Sequence, residues 1–173
     1  WKKTADSARA LASTRSRDLK TAIEPVKAQI EKAKEDAKNA EKAKDFAAAG
    51  AAEGQVKTGE VVLDLLERLD HISSRQEDAA VAWANAADLM RKFVESDNNL
   101  DRYRSAGIAK PGQGQKDSRL DQAGFAAFKG NSDALRDLGR SLSQLGDKLE
   151  NLGSDRLTFA EALERGGHTR AAK

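Results

Sequence analysis

The stretch Leu135-Arg-Asp-Leu138-Gly-Arg-Ser-Leu142-Ser-Gln-Leu145-Gly-Asp-Lys-Leu149-Glu-Asn-Leu152 decides the fold. Its six leucines recur at alternating steps of three and four, the spacing that keeps side chains on one stripe of an α-helix. Arg156 interrupts the row and Phe159 and Leu163 resume it. A row of this kind reads as a seam that a neighbouring helix covers.

Working outward, two further segments carry the same spacing. In the middle of the chain Val62, Leu65, Leu69, Ile72, Gln76, Ala79, Trp83, Ala86, Met90, Phe93, Asp97 and Leu100 hold one register, with Gln76 and Asp97 as polar exceptions. Near the start, Leu19, Ile23, Val26, Ile30, Ala33, Ala37 and Ala40 continue to Ala47 across Lys44, a seam made mostly of alanine. An alanine seam buries little area, at roughly 25 cal/mol per Å². The first helix therefore depends on leucine and Trp83 from the other two, and Trp83 is expected to be the largest buried side chain.

The breaks are read from glycine and proline. Gly50, Gly54 and Gly59 place the first turn at residues 50–59, and the stretch 106–117, with Gly107, Pro111, Gly112 and Gly114, forms the second. Helices are expected near 4–49, 60–105 and 118–165, each of about 45 residues and about 65 to 70 Å long. Pro25 implies a kink or restart in the first, with Thr21-Ala-Ile-Glu24 spaced as a capping box. Gly130-Asn-Ser-Asp133 offers a stop and N-cap that would divide the third. The expected fold is all-α: one elongated domain over residues 1–173, an up-down-up three-helix bundle or antiparallel coiled coil without strands.

Composition supports this class. Of 173 residues, 39% are hydrophobic and 34% charged, with 8 aromatic and no Cys, the balance of long helices. No disulfide framework or thiolate metal cage is available. The chain holds no membrane-spanning run and no signal peptide, so a cytoplasmic protein or one secreted by a signal-less route is expected. Its beginning at Trp1 suggests a piece of a longer protein.

Charge argues against nucleic acid as the partner. Residues 1–49 hold 12 basic and 8 acidic groups, residues 55–104 hold 7 and 10, and residues 116–165 hold 8 and 9. The lysines from Lys27 to Lys44 alternate with Glu31, Glu35, Asp36, Glu41 and Asp45, which cancels most of their field, and no aromatics lie among them for base stacking.

Catalytic or metal chemistry finds little support. Asp64, Glu67 and His71 share a helical face, but no matching set exists on another helix. Glu164 and His168 repeat the spacing across Gly166-Gly167. Gly112-Gln-Gly114 follows no strand and lacks the Gly-Lys-Ser/Thr of a phosphate loop. The expectation is no enzyme, no cofactor and no metal.

The third helix carries one more repeat. Gly139, Gly146 and Gly153 recur every seven residues, each directly after a seam leucine. A helix-interior glycine costs about 1 kcal/mol relative to alanine, so three at one heptad position suggest close approach by another helix, internal or foreign. The candidate interaction residues are thus Leu65, Leu69, Ile72, Trp83, Met90, Phe93, Leu135, Leu138, Leu142, Leu145, Leu149 and Leu152, with Gly139, Gly146 and Gly153 for close packing.

In outline the second and third helices resemble the helical-hairpin substrates of type VII secretion. Trp83-Ala-Asn85 and Tyr103-Arg-Ser-Ala-Gly107 depart from that family's Trp-x-Gly and Tyr-x-x-x-Asp/Glu at the defining residues, and the family is not assigned. The function expected from the sequence is a non-enzymatic interaction module, serving as spacer, dimerisation element or docking surface. Its partners are protein helices, of the same chain as a homo-oligomer or of another. The alternative is a secreted effector or secretion-apparatus component acting at membranes or on host proteins.

Overall fold

The structure, a computed structural model, describes residues 1–105 and 118–165. It is all-α: α1 spans Lys2–Lys42, α2 Phe46–Ser105 and α3 Ser118–Arg165, with no strand among the described residues. The second expected turn, residues 106–117, and His168 lie outside the described residues.

The first turn is not where the glycines put it. Gly50, Gly54 and Gly59 all lie inside α2, and the reversal is made by residues 43–45. Lys44 adopts a left-handed φ of 58°. Its N–H donates to the Glu41 carbonyl and that of Asp45 to the Ala40 carbonyl, both at 2.9 Å, which satisfies the last carbonyls of α1 in the manner usually built around glycine. Asp45 then caps α2, its Oδ1 accepting from the Ala48 N–H at 3.0 Å. A lysine in this backbone region costs about 1 kcal/mol. Lys44→Gly is therefore expected to raise the unfolding free energy by about 0.5 to 1 kcal/mol in a urea titration, and a loss of stability would contradict the turn geometry.

Neither α1 nor α3 is broken where the sequence offered a restart or a stop. α1 runs through Pro25, and Thr21 donates its hydroxyl to the Arg17 carbonyl at 3.0 Å. α3 runs through Gly130 and Asn131, because Asn131 serves as an anchor between helices: its Nδ2 donates to Ser96 Oγ and Asp97 Oδ1, each at 3.3 Å.

By its Cα packing the chain separates into two compact units. Unit 1 comprises Trp1–Ser7 and Asp78–Glu150; unit 2 comprises Ala8–Glu77 and Asn151–Lys173. In unit 2, pairs between α1 and α2 run in opposite order: Arg9 with Glu77, Ser16 with Asp70, Lys27 with Glu67 and Lys34 with Glu60. The alanine-rich seam of α1 faces inward, with Ile23, Ile30 and Ala33 buried and Leu19, Val26, Ala37 and Ala40 half-buried, while Ala47 lies beyond the turn and is exposed. Gly59 permits the closest approach: a Cβ there would lie 2.6 Å from Ile30 Cγ1.

α2 is covered on two sides in unit 2. The row Gly59, Leu63, Leu66, Asp70, Ser73 and Glu77 is buried or half-buried on the α1 side, whereas His71 and Arg75 reach Asp155 of α3 at 3.2 and 3.4 Å. The Arg75–Asp155 pair is held by charge without an aligned hydrogen bond, since Arg75 Nε and Asp155 Oδ2 are buried and make none.

In unit 1, Lys2 of α1 meets Asp88 of α2 at 2.9 Å. Their hydrogen bond holds the Asp88 carboxyl below the usual carboxylate range and raises the Lys2 ammonium. Lys148 of α3 reaches Asp78 at 3.3 Å, and Ala79, Ala80, Ala86 and Leu100 are buried on α2.

Candidate interaction surface

Six of the sequence-derived seam residues lie on α2. Ile72 is buried, and Leu65, Leu69, Trp83, Met90 and Phe93 are half-buried; Val62, at the start of that row, is 41% exposed. Trp83 is thus only partly enclosed, and no large side chain is completely buried in the described residues.

The α3 row divides in two. Leu138 and Leu152 are 4% and 8% exposed and Leu145 is half-buried, but Leu135, Leu142 and Leu149 are 53%, 46% and 52% exposed. These three leucines do not belong to the seam covered within the chain. The inward face in unit 1 instead follows Gly124, Ala127, Asn131, Ala134, Leu138, Ser141, Leu145 and Lys148, and all are buried or half-buried at the same alternating spacing. The chain continues into unit 2 with Leu152, Asp155, Phe159 and Ala162 inward. The polar members are accepted because α2 supplies partners: Asp78 for Lys148, and His71 with Arg75 for Asp155.

Outside that face, unit 1 carries a second stripe. Phe128, Leu135, Leu142 and Leu149 repeat every seven residues, preceded by Phe125, and the two phenylalanines are 55% (Phe125) and 49% (Phe128) exposed. Gly139 and Gly146 lie between the leucines, with no atom of a neighbouring element within 4 Å of where a Cβ would stand. Space is equally open at Gly153 in unit 2. The glycines therefore face no internal helix. The stripe's rim is charged in both signs: Lys129, Asp133, Arg136 and Arg140, then Asp147 and Glu150. The sequence reading missed Phe125 and Phe128, although Phe128 stands seven residues before Leu135 and so belongs to the row.

The residues weighed for metal binding are engaged separately. Asp64 pairs with Arg68 at 2.8 Å, Glu67 with Lys27 at 3.2 Å and His71 with Asp155 at 3.2 Å. Among the described residues there is no group of three or more potential ligands, and no helix is long and apolar enough to cross a membrane.

Fold and surface together define a three-helix all-α protein with an uncovered apolar stripe on its last helix. No protein-family model, curated protein or solved structure matches the chain.

Proposed function

We propose that the chain is a non-enzymatic interaction module whose outer α3 stripe docks a helix of another polypeptide. The observation that carries this reading is the row from Phe125 to Leu149: five large apolar side chains, each about half exposed, on one face of one helix. Single exposed hydrophobics are ordinary, whereas a contiguous apolar face rimmed by polar groups marks an interaction site. An apolar row at heptad spacing is what a second helix recognises, with the anchors one and two turns apart.

The competing reading, an effector acting at membranes, calls for a basic rim to attract anionic lipid. The rim here mixes three basic with three acidic groups, Lys129, Arg136 and Arg140 against Asp133, Asp147 and Glu150, which favours a protein surface of mixed sign.

Residue-resolved hydroxyl-radical footprinting tests the proposal. Phe125, Phe128 and the three outer leucines are expected to label readily in dilute purified protein and several-fold more slowly in extract of the source cells. Equal labelling in both would remove the reading. Co-sedimentation with phosphatidylserine-rich vesicles is expected to leave the protein in the supernatant; pelleting would transfer the stripe to the membrane alternative.

A further inference from the structure

We infer that the occupant of the α3 stripe is the same stripe of a second copy of this chain, the two α3 helices lying antiparallel about a two-fold axis at the level of Gln144. This rests on the interaction-module reading and commits it to one partner.

The argument is self-complementarity, which a two-fold interface requires of a single surface. Reversing the helix about that axis sets Leu142 over the partner's Gly146 and Leu149 over the partner's Gly139, and symmetry repeats both contacts. Leu142 and Leu149 then each meet a position where space is open for 4 Å around the missing Cβ. A leucine facing a leucine at these levels would hold the helices apart; a leucine facing glycine lets the backbones approach closely, as small residues do elsewhere in helix pairs.

The rim falls close to that register, its pairs centred within about one residue of the same axis. Arg136 comes beside the partner's Glu150, and Arg140 beside the partner's Asp147, giving four pairs of opposite sign across the axis. In the single chain Asp147 and Glu150 have no ion-pair partner among the described residues. Arg136 and Arg140 make only exposed pairs within their own helix, with Asp133 at 3.1 Å and Asp137 at 3.9 Å. Such pairs are worth little, so exchanging them is cheap. A parallel arrangement would instead set each seam residue level with its own copy, Leu142 with Leu142 and Gly146 with Gly146, and would leave Arg136 and Glu150 about 20 Å apart along the helices.

Sedimentation equilibrium of the full chain over a range of concentrations tests this, with two charge reversals. Arg136→Glu and Glu150→Arg are each expected to weaken self-association by about tenfold or more, because each puts two like-charged pairs across the axis. Mixing the two variants in equal amounts should restore dimers, since one pair then forms as in the wild type and the other with its signs exchanged. Both residues are exposed, and unchanged thermal melts of the dilute variants will show that folding is intact. Cross-linking supplies a second readout on a chain free of cysteine: Ser143→Cys should be joined across the axis by a short bismaleimide, and Ser132→Cys should not. A wild-type protein that stays monomeric, dimers indifferent to the reversals, or variants that fail to recover on mixing would overturn the second-copy inference. Extract protection in the footprint with a monomeric purified protein would sink this inference alone and leave the interaction module standing.

Discussion

Leu138→Ala is expected to lower the unfolding free energy by about 3 kcal/mol, within the range for leucines truncated in a packed interior, while Leu142→Ala changes it by no more than about 0.5 kcal/mol. The two leucines are one helical turn apart and chemically identical, but one is 4% exposed and the other 46%. Removing three carbons from Leu138 leaves a cavity against α2; removing them from Leu142 uncovers nothing. Urea titrations at protein concentrations too low for self-association check the contrast. Equal losses, or a larger loss at Leu142, would mean that α3 is turned about its axis from the orientation described above.

Gly59→Val is expected to cost about 3 kcal/mol, the upper part of the range for overpacking. The new Cβ would stand 2.6 Å from Ile30 Cγ1, and Ile30, 4% exposed, must rotate out of its packed position to make way. Gain in helix propensity offsets only a few tenths of a kcal/mol, because a β-branched residue is a mediocre helix former. The same contact predicts a rescue. Ile30→Ala alone destabilises, by about 2 to 5 kcal/mol, but combined with Gly59→Val the losses should fall well short of additive, since each substitution removes the other's clash or void. Additive losses in the double-mutant cycle would show that Gly59 and Ile30 do not touch.

These two cases also show what a sequence reveals about this molecule. The three-helix, all-α fold was legible because apolar residues recur at helical spacing in all three segments. The α1 row from Leu19 to Ala40 and most of the α2 row face inward as read. The α3 row misled because hydropathy pairs Leu138 with Leu142, four residues on, whereas the structure pairs Leu138 with Ser141, three residues on. Nothing in the hydropathy of Ser141, Lys148 or Asp155 marks them as inward. Their acceptance depends on Asp78, His71 and Arg75 across the interface, a property of the neighbour.

The first turn was misplaced for a related reason. Glycine was read as a signal for reversal, but Gly59 serves close helix approach, and the αL position went to Lys44, a residue with no such preference. Asp45, the N-cap, was the one local sign of the true site. The exposed α3 stripe was partly visible, in the heptad glycines, but whether a neighbour inside the chain covers it could be learned only from the fold.

The two-sided enclosure of α2 bears on how this chain can diverge. One inserted or deleted residue within that helix would swing everything after it by about 100°, misaligning contacts with both flanking helices in a single stroke. Gains and losses of single residues should therefore be rare between Gly59 and Glu77, and drift there should proceed by exchange of side chains at constant length. At the outer stripe of α3 the constraint is of another kind: a change of sign at one end of the rim calls for the opposite change at the other, a paired drift that kindred sequences would carry as a written trace of the partner.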